Sequence, residues 1–195
     1  MKVELKGNRP SPWGFLAGGL LLGLGAGWII FDRYPDPGRV LVAPPAIEGT
    51  IPAGPFEGAE APDFTLFDLE GRSVSLKEER GNVILLNFWA TWCEPCRAEM
   101  PLFDRIYRER KADGMVVLAV NFDEPRDQVI SFRDDLGLSF PILLDPGARV
   151  QKLYRVRGYP TSFWIDREGV IRLVHIGVMT DGQVRQALEA IGLES

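Results

Sequence analysis

Cysteine and histidine are nearly absent from this 195-residue chain, which has two of the first and one of the second. A structural zinc site takes four ligands, usually Cys or His, so three such residues cannot fill one. The two cysteines stand only three positions apart. A purely structural disulfide between them is possible, but it would enclose two residues and constrain the unfolded chain little. Basic clusters are missing as well. The formal net charge is −5, and residues 1–31 carry Lys2, Lys6 and Arg9 against Glu4, which leaves −7 on the remainder. An acidic body without basic clusters argues against nucleic acid as a partner. There are no internal repeats.

Charge is also absent from residues 13–31, a run of 19 without an internal proline. That is about the length of a membrane-spanning helix. A buried soluble helix would carry a polar face, which this run lacks. A cleaved signal peptide is the rival reading, but its apolar core is normally shorter. The only small-residue cleavage candidate is Gly25-Ala26-Gly27. No cysteine lies nearby, so a lipoprotein anchor is excluded. The expectation is an uncleaved single-pass anchor over 1–31 in the cell membrane. Basic residues before the run place the N-terminus in the cytoplasm and the rest of the chain on the outer, extracytoplasmic face. Gly19, Gly23 and Gly27 fall on one helix face, a spacing that can pair helices in membranes.

Residues 32–59 hold six prolines among small residues and read as a semi-extended tether. A folded domain is expected over 60–195. Short strands are expected at 64–67 and 73–76 around Glu70-Gly71, and a buried strand at 83–90. A helix follows at 94–111, then a strand at 115–122 and a helix at 126–136 opened by Pro125. A strand at 140–144, a short helix at 148–154, a hairpin of 161–166 with 170–176 and a closing helix at 181–191 complete the order. Alternating strands and helices ending in a hairpin predict an α/β fold with a mixed central sheet flanked by helices.

Both cysteines sit in Trp92-Cys93-Glu94-Pro95-Cys96, between the apolar run 83–90 and the expected helix. Unpaired N–H groups and the helix dipole stabilise a thiolate at such a terminus. Two thiols three apart there can open and close a disulfide, which is the chemistry of thiol–disulfide exchange.

The words APDFTLFDLEGRSVSL, LLNFWATWCEPCRAEMP and GYPTSFWIDREGVI, with the strand from Val116 to Asn121, resemble the thioredoxin superfamily. Within it they resemble the membrane-anchored thiol–disulfide oxidoreductases of the TlpA/ResA/DsbE type. The resemblance covers residues from about 60 to 193 and implies a thioredoxin-like fold. It makes Cys93 the attacking nucleophile and Cys96 the resolving thiol, which the local chemistry supports. Pro95 fixes φ early in the helix, where its missing N–H costs nothing. Pro160 matches the family's cis-proline, and the backbone of Tyr159 before it would meet an extended substrate. Trp92 either walls the site or belongs to the core.

The same resemblance makes Glu99 an active-site residue; a solvated helix position is the alternative. Negative charge near a thiol raises its pKa, so Glu94 and Glu99 would favour a reducing couple. Asn87 stands where thioredoxin has a buried aspartate, which leaves proton handling to Glu99 or to water. His175 is expected to be structural. By resemblance no cofactor is needed and no metal is bound. The partners are protein disulfides, apocytochrome c in cytochrome c maturation first among them, and a membrane thiol–disulfide electron donor. Two other functions remain open at this point. A Sco-like copper chaperone would use both cysteines and His175, although its cysteines are spaced by three residues rather than two. A peroxiredoxin-like peroxidase would need Thr-x-x-Cys, whereas Thr91 lies two before Cys93.

Overall fold

The computed structural model describes residues 51–193, so the expected anchor over 1–31 lies outside the described residues. Among those described, no helix is long and apolar enough to cross a membrane. Seven strands form one sheet in the order β2-β1-β5-β4-β3-β6-β7. They are β1 (Thr65–Asp68), β2 (Ser73–Ser75), β3 (Val83–Trp89), β4 (Met115–Phe122), β5 (Ile142–Asp145), β6 (Thr161–Ile165) and β7 (Ile171–Ile176). Strands β3, β4 and β5 are parallel, and β1, β2, β6 and β7 join antiparallel. The mixed sheet of a thioredoxin-like fold follows. Helices α1 (Glu94–Arg110), α2 (Arg126–Leu136), α3 (Arg149–Leu153) and α4 (Asp181–Ala190) flank it.

Strand β3 shows why a continuous apolar run becomes a central strand. All seven of its residues are buried, since layers cover both faces of the sheet. Leu85 and Trp89 point into a core built with α1, α2 and α4 through Met100, Phe103, Phe132 and Leu188. Ile84, Leu86 and Phe88 point into the opposite core, with Tyr154, Phe163 and Val150 of α3. Alternation along one strand therefore feeds two cores. Asn87 lies on the α1 side, a polar residue among apolar ones, wholly buried.

Local signals set the helix ends. Thr180 and Gln183 form a capping box at the start of α4. Gly137 closes α2 with φ 63°, in the left-handed region glycine enters freely. Pro101 lies inside α1 and supplies no N–H to the carbonyl one turn earlier.

Two expectations need correction. The expected strand at 73–76 ends at Ser75, because Leu76 opens a 3-10 turn (Leu76–Glu79) and buries its side chain there. The folded unit also begins before residue 60: the described tail of the expected tether, from Pro52 on, packs on it. Ala53 bridges Glu60, Glu60 bridges Val170, and Gly58 N–H donates to Ile171 O at 2.8 Å. Proline and glycine there signal irregular backbone, but irregular backbone can still satisfy an edge strand.

Candidate active site

The sharp turn between β3 and α1 carries the dithiol to the C-terminal end of the central strand. Cys93 N–H donates to Ala90 O at 3.2 Å, and Cys93 is the N-cap of α1. Its Sγ accepts the N–H of Cys96 at 3.2 Å, as the side chain of a capping residue does. Cys93 and Cys96 are joined in a disulfide. Cys93 keeps 5% exposure and Cys96 none. Pro95 occupies the first turn of the helix and is exposed, as is Glu94.

Glu99 is 1% exposed, so the solvated-helix alternative is excluded. Its Oε1 accepts from Asn87 Nδ2 at 3.1 Å, and its Oε2 accepts from Met179 N–H at 3.2 Å. Burial pushes the Glu99 carboxyl up to about 7, and the two donors offset only part of that rise. Asn87 Nδ2 also donates to Ser162 Oγ at 3.0 Å, while its Oδ1 has no partner. The asparagine at the expected aspartate position thus holds the carboxylate that arrives from α1.

Across the dithiol the Tyr159–Pro160 peptide is cis, as the resemblance implied. Trp92 is 63% exposed and meets the Tyr159 ring edge-on at 5.7 Å, so it walls the site rather than joining the core. Phe122 also packs on Tyr159, at 5.6 Å between ring centroids. The Tyr159 hydroxyl donates to buried Gln151 Oε1. Burial, together with the carboxylates of Asp145 and Glu124, pushes that hydroxyl up to about 12, so it stays protonated.

Glu124 escaped the sequence reading. Its carboxylate accepts Thr91 N–H at 2.7 Å, Thr91 Oγ1–H at 2.5 Å, Asn121 Nδ2 at 2.7 Å and Gln128 Nε2 at 3.0 Å. It fastens the dithiol loop to the end of β4. The only signal was a lone acid after a buried strand, which is ordinary. Met179 N–H was equally hidden, since a backbone donor leaves no mark on residue type. His175 Nε2 lies 3.3 Å from Val178 O, a local contact in keeping with a structural role. Among the described residues no three His, Cys, Asp or Glu side chains gather to hold a metal.

A dithiol on a helix terminus, a cis-proline opposite it and a buried carboxyl behind it together specify thiol–disulfide exchange. The model of the AhpC/TSA family matches residues 58–174, more than half of the chain. The chain belongs to that thioredoxin-like family. It is 43% identical over 134 residues to the thiol-disulfide oxidoreductase ResA of Geobacillus thermodenitrificans, covering 69% of this chain and 77% of that protein. It is 44% identical over 136 residues to the thioredoxin-like protein YneN of Bacillus subtilis, covering 68% and 79%. A crystal structure from Chlorobium tepidum, described as a candidate thiol:disulfide interchange protein DsbE, superposes with a TM-score of 0.65 at 36% identity. It covers 73% of this chain and 100% of that one. This family member is a thiol–disulfide oxidoreductase of the ResA/DsbE type.

Proposed function

We propose that the protein reduces disulfides in exported proteins, with the cysteine pairs of apocytochrome c as the leading client in cytochrome c maturation. The observation that carries this reading is the Cys93–Cys96 pair at the start of α1 with buried Glu99 on the same helix. In the reduced protein the Cys93 thiolate attacks one substrate sulfur and expels the other as a thiolate, leaving a mixed disulfide. The Cys96 thiolate then attacks Cys93 Sγ and expels the second substrate sulfur. Two electrons pass to the substrate, and the Cys93–Cys96 disulfide remains. A thiol–disulfide donor in the membrane restores the dithiol.

Each remaining residue has a part. Helix-terminal N–H groups stabilise the Cys93 thiolate. Glu99, titrating near 7, holds the proton that Cys96 must lose before it attacks. The backbone of Tyr159 beside Pro160 receives the substrate as an extended strand, and Trp92 and Pro95 border it. The domain works on the outer face of the cell membrane, anchored by residues 13–31.

The deciding experiment compares Cys93→Ser with Cys96→Ser. Cys93→Ser abolishes reduction of a model protein disulfide, and Cys96→Ser accumulates mixed disulfides whose clients can be identified by mass. Alkylation that modifies Cys96 before Cys93 in the reduced protein would reverse the two roles. Protease added to spheroplasts digests the domain if the placement is right, and the mature N-terminus reads Met1. A mature chain that starts after Ala26 would mean a cleaved signal peptide.

A further inference from the structure

We propose that a basic groove beside Pro160 selects substrates that carry acidic residues next to the reacting cysteine. The proposal deepens the reductase reading and rests on it. In a body of net charge −7, the stretch between Asp145 and Asp166 holds Arg149, Lys152, Arg155 and Arg157 and no acidic residue. All four are exposed. Among the described residues none of them forms an ion pair; Lys152 Nζ donates to Gly147 O. The bounding acids are engaged elsewhere, Asp145 by the N–H groups of Val150 and Gln151, and Asp166 by Val170 N–H and Arg172.

This stretch leads straight into the site. Arg155 adopts φ 52°, an unfavourable backbone for a residue with a side chain, and turns the chain after α3. Arg155 and Arg157 then line a groove of about 270 Å³ with Val156, Pro55, Val174 and Ile176. Thr161, the residue after Pro160, also lines it and pairs with Ile176, while Gly177 N–H donates to Pro160 O at 2.8 Å. The groove thus opens beside the strand that begins immediately after Pro160. Its apolar floor includes Ile176, which is 72% exposed. The nearby acid is Glu57, and its Oε1 accepts Val174 N–H at 2.9 Å.

The occupant this chemistry fits is an extended protein segment with a carboxylate for the guanidinium groups and an apolar side chain for the floor. Planar, permanently charged guanidinium groups suit carboxylates, and exposed like-signed charge also raises the encounter rate with an oppositely charged partner.

The test uses the full chain in detergent, reduced and freed of excess reductant. Single-turnover reduction is followed for three fluorescent disulfide peptides whose cysteine is flanked on either side by Glu, Gln or Lys. The Glu peptide is expected to react about fivefold to tenfold faster than the Lys peptide at low salt, a ratio in keeping with exposed charge pairs. The ratio should shrink toward one in molar salt. R155E/R157E should invert it, and R155Q/R157Q should abolish it. Equal rates for the three peptides, or a preference that survives R155E/R157E, overturn the proposal. So does an absent preference in a protein that sediments with phosphatidylglycerol vesicles through the same arginines, which would assign the patch to a lipid surface. Failure to reduce any of the peptides would count against the reductase reading itself.

Discussion

Replacing Glu99 by glutamine should flatten the dependence of stability on pH. Glu99 titrates near 7 in the folded protein and at about 4.5 when exposed, because burial disfavours its charge. Between those values the native state binds more protons than the unfolded state, so stability falls as pH rises. It is full below 4.5 and is lost progressively until the native carboxyl has ionised above 7. The span corresponds to about 3 kcal/mol between pH 4 and pH 8. Glutamine carries no charge to desolvate, so this component disappears. The site can accept it: Asn87 Oδ1 has no partner, and turning the Asn87 amide over would present that oxygen to the new side-chain amide. Met179 N–H would keep an acceptor in the glutamine oxygen. The oxidised Glu99→Gln protein should therefore match the parent near pH 4 and exceed it by up to about 3 kcal/mol near pH 8. Urea unfolding of both proteins at a series of pH values measures this, since other titrating groups cancel in the difference. Parallel curves would refute the account. The same substitution should lower the Cys93 pKa and make the couple less reducing, read by thiolate absorbance and a glutathione titration.

Glu124→Ala should cost about 1–3 kcal/mol for each part-buried donor it strands, Thr91 N–H first, measured by chemical denaturation. It should also make the dithiol loop exchange its amide hydrogens faster. Tyr159→Phe removes the donor to Gln151 Oε1 and should cost about 1 kcal/mol, with no change in activity at pH 7 because the hydroxyl is protonated throughout. Phe103→Ala, in the core under α1, should cost about 3–5 kcal/mol by leaving a cavity, seen as a lower denaturation midpoint with an unchanged slope.

The strands were legible where the chain is buried on both sides. Val83–Trp89 and Met115–Phe122 are apolar runs broken only by Asn87 and Asn121, and a helix of that length on a sheet would leave one face exposed. The dithiol and the cis-proline were legible from motif words, since their chemistry demands particular residue types. Glu99 was legible as a position, but its burial was not. A glutamate three residues after Cys96 reads the same in water as under Met179. Glu124 and the 51–60 segment were illegible for a related reason: their partners, Thr91 N–H and the free edge of β7, belong to the backbone. Backbone groups are the same at every residue, so only the folded arrangement reveals which side chain serves them.

The segment around Pro52, Ala53 and Glu60 lies by Val170, at the start of β7 and beside Ile84 and Ile165, whereas the dithiol crowns the far end of β3. Seven strand residues, about 20 Å, separate the two. The described segment from Pro52 therefore meets the domain at one pole, and the dithiol occupies the other. Any disulfide that meets Cys93 does so at the pole away from Ala53 and Glu60.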